Sequence, residues 1–219
     1  MRSVSAAWLV IAIVVVVAAA ALGLLALHLW HRQAATGALN ASEVESLVSN
    51  TLGGSWELLP NMSLTITPNP ANGSFELVYL NGTSEVRKIT PQLSSSLQLL
   101  GAGGQPNGGY PLWIAVYTLI LKEENETYVT QIEVFRAANS TQAHWTLSAV
   151  EQRYQISANA TDDLTYLAIR QQIPFYNVTE TVLVGVYKGY YLIIILSDYP
   201  HAGEQQFVTL AEGIGGSLG

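Results

Sequence analysis

The run WLVIAIVVVVAAAALGLLALHLW, from Trp8 to Trp30, constrains this chain more than any other stretch. Residues 3 to 31 hold no Asp, Glu, Lys or Arg. As a helix the 22 rises from Trp8 to Trp30 measure about 33 Å, at about 1.5 Å each. The hydrocarbon layer of a bilayer is about 30 Å thick. A Trp stands at each end, where interfacial rings settle. The spacing therefore predicts a single transmembrane anchor over residues 1–32, in lipid contact through residues 7–30. A cleaved signal peptide is the alternative, with Ala34-Ala35-Thr36-Gly37-Ala38 as a small-residue cleavage region. Its apolar core would normally be only about 7–15 residues long. Arg2 and Arg32 flank the run almost evenly, so the positive-inside rule sets no orientation.

Orientation comes from asparagine instead. The chain has 11 Asn, and eight stand in Asn-x-Ser/Thr: Asn40, Asn61, Asn72, Asn81, Asn125, Asn139, Asn159 and Asn177. Ser and Thr make up 33 of 219 residues, so chance would place one of them two positions after only one or two of the 11. Turn chemistry accounts for Asn72-Gly-Ser and Asn81-Gly-Thr. It does not account for Asn125-Glu-Thr, Asn159-Ala-Thr or Asn177-Val-Thr. The density reads as selection for N-linked glycans. Glycans are added on the non-cytoplasmic side, which places the N-terminus in the cytoplasm and the rest outside the cell.

Composition narrows the function classes. The net charge is −7, with nine Lys and Arg in total, so nothing supplies the basic surface that a nucleic-acid partner requires. There is no Cys, which excludes disulfides, thiolate metal sites and thiol nucleophiles.

After a polar linker over 33–42, the pattern predicts an extracellular domain over 43–219. A short helix starts at Ser42 as N-cap, with Glu45 completing a capping box, and stops at Gly53-Gly54. Residues 56–67 are extended. FELVYL and SEVRKIT form a hairpin about Asn81-Gly82. GAGGQPNGGYP (101–111) is a Gly-rich loop that lacks the Lys-Ser/Thr of a phosphate cradle, and it is a candidate divide between two lobes. Strands follow at 112–122 and 127–137. A helix comes next, with Ala143, Leu147, Val150 and Tyr154 on its apolar stripe. Strands at 164–172 and 181–187 lead to YYLIIILSD, which is apolar on both faces and so central. A last helix buries Phe207, Leu210, Ala211 and Ile214. The fold class is α+β: a mostly antiparallel sheet with helices packed on one face.

Candidate chemistry is sparse. His144, Ser148 and Glu151 share one helix face, whereas a catalytic triad draws on separate elements. Asp198, His201 and Glu204 are spaced as turn formers and caps more than as metal ligands. Asp162-Asp163 are solvated beside a sequon, and Glu123, Glu124 and Glu126 form a hairpin tip without the spacing of a calcium loop. Tyr166, Phe175, Tyr176, Tyr187, Tyr190 and Tyr191 offer either a recognition surface or cross-strand packing. No catalytic, cofactor or metal residues are assigned, and no cofactor is expected. The sequence reads as a non-catalytic binding or structural module, or an accessory subunit of a membrane complex with protein partners at the cell surface. The alternative is an extracellular, membrane-anchored hydrolase.

Overall fold

The computed structural model describes residues 38–69, 71–88, 111–124, 126–173 and 178–218. The anchor, residues 33–37 of the linker, residues 101–110 of the Gly-rich loop, Asn125, Phe175, Tyr176 and Asn177 lie outside the described residues. Among those that are described, no helix is long and apolar enough to cross a membrane.

The described elements are α1 (Ala41–Leu52), β1 (Glu57–Leu58), β2 (Leu64–Asn69), β3 (Ser74–Tyr79), β4 (Ser84–Lys88), β5 (Trp113–Glu123), β6 (Glu126–Arg136), α2 (Ser140–Tyr154), β7 (Asn159–Ala160), β8 (Leu164–Ile173), β9 (Val178–Tyr187), β10 (Tyr191–Ser197) and α3 (Glu204–Ser217). The ten strands form one sheet in the order β4-β3-β2-β5-β6-β10-β9-β8-β7, with β1 beside β5. All of its pairings are antiparallel. The strands before and after the Gly-rich loop belong to this one sheet, because β2 pairs with β5.

Local chemistry explains the joints. At the β3–β4 turn, Gly82 donates to the Tyr79 carbonyl at 3.0 Å, and the Tyr79 N–H donates to the Thr83 carbonyl at 2.8 Å. Gly82 has φ +86°. This is a type I turn closed by a glycine bulge, so the glycine of Asn-Gly supplies the left-handed residue while Asn81 keeps an ordinary φ. Between β9 and β10, Lys188 and Gly189 both have positive φ, as a hairpin turn of the primed type requires.

The β10 strand is central, between β6 and β9, and it alternates between two cores. Ile193 and Ile195 face one core with Ala115, Tyr117, Ile132 and Val134. Val44, Val48 and Leu52 of α1 and Phe207, Leu210, Ala211 and Ile214 of α3 cover that face. Leu192 and Ile194 face the other core, which Ala143, Leu147 and Val150 of α2 cover. The expectation of helices on one face thus describes α1 and α3, while α2 lies on the opposite face. A strand that is apolar on both sides needs cover on both. Gly215 lets α3 settle on the sheet, since a Cβ there would stand 2.3 Å from Cγ of Tyr187.

The start of α1 corrects a sequence expectation. Asn40, not Ser42, is the N-cap, and its side-chain oxygen accepts from the Glu43 N–H at 2.9 Å. Ser42 lies inside the helix and donates to the same oxygen at 2.8 Å. Glu45 is drawn away from any capping box by the Leu58 N–H, which donates to it at 2.8 Å. Leu39 is already buried, and its carbonyl accepts from the Tyr117 hydroxyl at 3.2 Å.

Candidate functional site

Six of the eight sequon asparagines are described: Asn40, Asn61, Asn72, Asn81, Asn139 and Asn159. All six are exposed. They occupy joints of the fold and neither core. Asn40 caps α1 and Asn139 caps α2, the latter accepting from the Gln142 N–H at 2.9 Å. Asn72 and Asn81 occupy the β2–β3 and β3–β4 turns, Asn61 the turn before β2, and Asn159 the short strand β7.

At Asn40, Asn72, Asn81 and Asn139 the cap or turn uses the amide oxygen. Thr83 donates to Oδ1 of Asn81 from both its N–H (2.9 Å) and its hydroxyl (2.7 Å). Ser74 donates to Oδ1 of Asn72 through the same two groups. An N-linked sugar attaches at Nδ2 and leaves Oδ1 its lone pairs, so cap or turn and glycan do not compete for one atom. Asn125 and Asn177 lie outside the described residues.

The other sequence candidates disperse. Asp198 accepts from the Val129 N–H at 2.6 Å, Glu204 accepts from the Tyr166 hydroxyl at 3.4 Å, and His201 stacks edge-on against Tyr199 at 5.3 Å. Each has a different structural partner. Among the described residues no three His, Asp or Glu side chains gather as a metal would need. Glu151 accepts from the Ala158 N–H at 2.8 Å, just beyond the end of α2, and His144 is exposed. Among the tyrosines, Tyr166 and Tyr187 are core residues. Tyr190 is 46% exposed. The Arg136 guanidinium lies 5.3 Å from the ring centre of Tyr190 and 4.6 Å from that of Tyr191. Cross-strand packing therefore accounts for much of the aromatic set.

One group was not legible in the sequence. Glu133, in the middle of β6, is 0% exposed. It sits between Val116 of β5 and Ile194 of β10. Gln131 donates to its Oε1 at 2.7 Å, while Oε2 has no hydrogen-bond partner among the described residues. Burial pushes its pKa up to about 7, against the lowering effect of the Gln131 bond. Near the end of the same face, burial also raises Glu180, with Gln171 opposing the shift and the charge of Asp198 adding to it. Glu133 can hold a proton near neutral pH, but no described nucleophile or second carboxyl shares its hydrogen bonds. In QIEVF the residue reads as part of a polar face turned to water. Only its neighbours on β5 and β10 reveal that the face is closed.

Comparison with known protein families, with characterised proteins and with solved structures finds no match to this chain.

Proposed function

We propose that this chain is a single-pass, N-glycosylated protein of the cell surface, anchored by residues 1–32 with its N-terminus in the cytoplasm. Its α+β domain acts outside the cell without catalysis, as a binding or structural module or as an accessory subunit of a membrane complex. The supporting observation is the placement of the sequons. Eight of 11 asparagines carry the acceptor pattern, and all six that are described stand exposed at caps, turns and a short edge strand. Their Oδ1 atoms serve the fold at Asn40, Asn72, Asn81 and Asn139, which leaves Nδ2 available for a glycan. The apolar run supports the anchor by its length and lack of charge.

The test is extraction from native membranes. The protein should resist alkaline washing, dissolve in mild detergent, and lose mass on chemical deglycosylation. Native-gel sizing with mass spectrometry of co-migrating chains then separates a subunit from a free surface module. Release by alkali, or an intact mass equal to that of the bare chain, refutes the proposal.

A further inference from the structure

The turn before β2 and the β3–β4 turn bring two sequons together that are 20 residues apart in the chain. Nδ2 of Asn81 donates to Oδ1 of Asn61 at 2.7 Å, and both residues are exposed. The two Nδ2 atoms are therefore at most about 5 Å apart, which is that bond plus about 2.2 Å across one amide group. Two glycans rooted so closely would contend for one volume unless the side chains separate and the bond breaks.

The third residues of the two sequons differ in the fold. Ser63, which completes the Asn61 sequon, is 0% exposed. Its hydroxyl accepts from the Thr118 N–H at 3.0 Å, and its carbonyl accepts from the Leu80 N–H at 2.9 Å. Ser63 thus bonds both to β5 and to the residue just before Asn81. Thr83, which completes the Asn81 sequon, is partly exposed, and its hydroxyl turns back to its own asparagine. Because the acceptor pattern demands Ser or Thr at this position, the glycan transferase must read that hydroxyl. It can reach Thr83 in the folded domain and cannot reach Ser63.

We propose that Asn61 and Asn81 form one paired acceptor, in which Asn81 takes the glycan and Asn61 stays unmodified as its hydrogen-bonded support. After transfer, Nδ2 of Asn81 keeps one hydrogen, enough to preserve the bond to Asn61. This inference rests on the glycoprotein reading above and adds that the folded domain selects between two matching motifs.

The full chain, purified in mild detergent from native membranes, supplies the test. Cleavage after Glu57, Glu76 and Glu85 yields 58–76, with Asn61 and Asn72, and 77–85, with Asn81 alone. Fragmentation then separates Asn61 from Asn72. The expected result is glycan on 77–85 and an unmodified Asn61 in every molecule. Asn61→Asp keeps the acceptor oxygen and should leave the glycan count unchanged. Thr83→Ala should lower the count by one, and Thr83→Ser should restore it. Glycan on Asn61, in the wild type or in Thr83→Ala, overturns the proposal. A bare Asn81 beside occupied Asn40, Asn139 or Asn159 overturns it as well. A chain with no glycan at any position refutes the glycoprotein reading itself, a separate and distinguishable failure.

Discussion

Replacing Glu133 with Gln isolates the energetic cost of a buried acid. The folded chain holds this carboxyl near pKa 7, against an ordinary value of 4.5. Below about pH 4.5 both folded and unfolded chains keep the proton, and the group costs nothing through ionisation. As pH rises the unfolded chain ionises first, so stability falls through the window from 4.5 to about 7. Above it the loss levels off at about 3 kcal/mol, from roughly 2.5 pKa units at 1.36 kcal/mol each. Most of this, about 2–3 kcal/mol, falls between pH 5 and pH 8. Gln stays neutral throughout, although its amide adds a pH-independent cost of about 1–3 kcal/mol for an imperfectly paired polar group. The diagnostic quantity is therefore the slope and not the absolute stability. Thermal unfolding of the full chain in detergent, followed by tryptophan fluorescence, should show the wild type losing about 5–10 °C more than Glu133→Gln between pH 5 and pH 8. Glu180 and Asp198 are present in both proteins, so their contributions cancel in the comparison. Parallel pH profiles would mean that the carboxyl is solvated or paired in the fold, and the reasoning would fail.

Cap and sequon can be separated at Asn40. Asn40→Ala removes both and should cost about 1 kcal/mol, read as a lower unfolding temperature, together with one glycan. Ser42→Ala keeps the capping oxygen and should lose the glycan at a smaller cost in stability. At α2, Thr141→Ala should likewise remove the Asn139 glycan while the cap to Gln142 persists, as glycopeptide mass and unfolding temperature would show. Gly215→Ala would push a methyl group into the Tyr187 ring. It should destabilise the domain by about 1–3 kcal/mol, the usual range for overpacking, in a denaturant titration.

Much of the architecture was readable from pattern. The apolar stripe Ala143, Leu147, Val150 and Tyr154 and the buried set Phe207, Leu210, Ala211 and Ile214 follow helical spacing, and both face cores as that spacing requires. The two 11-residue strands β5 and β6 and the central place of β10 follow from β-rich runs and a segment apolar on both faces. Pattern alone puts the α1 cap two residues late, at Ser42 in place of Asn40, because serine has equally good capping chemistry. Glu45 could close a capping box only if nothing farther along the chain competed for it, and Leu58 does.

Sequence alone determined the elements, the acceptor motifs and the apolar run, because these depend on residues close together in the chain. Tertiary structure alone decided which face each helix covers, that Glu133 is closed off between Val116 and Ile194, and that Asn61 in the turn before β2 meets Asn81 in the β3–β4 turn. Glu133 stands 17 positions from Val116 and 61 from Ile194, and Gln206 of α3 reaches Thr51 of α1 across 155. Such contacts are set by strand order and register, which local periodicity does not encode.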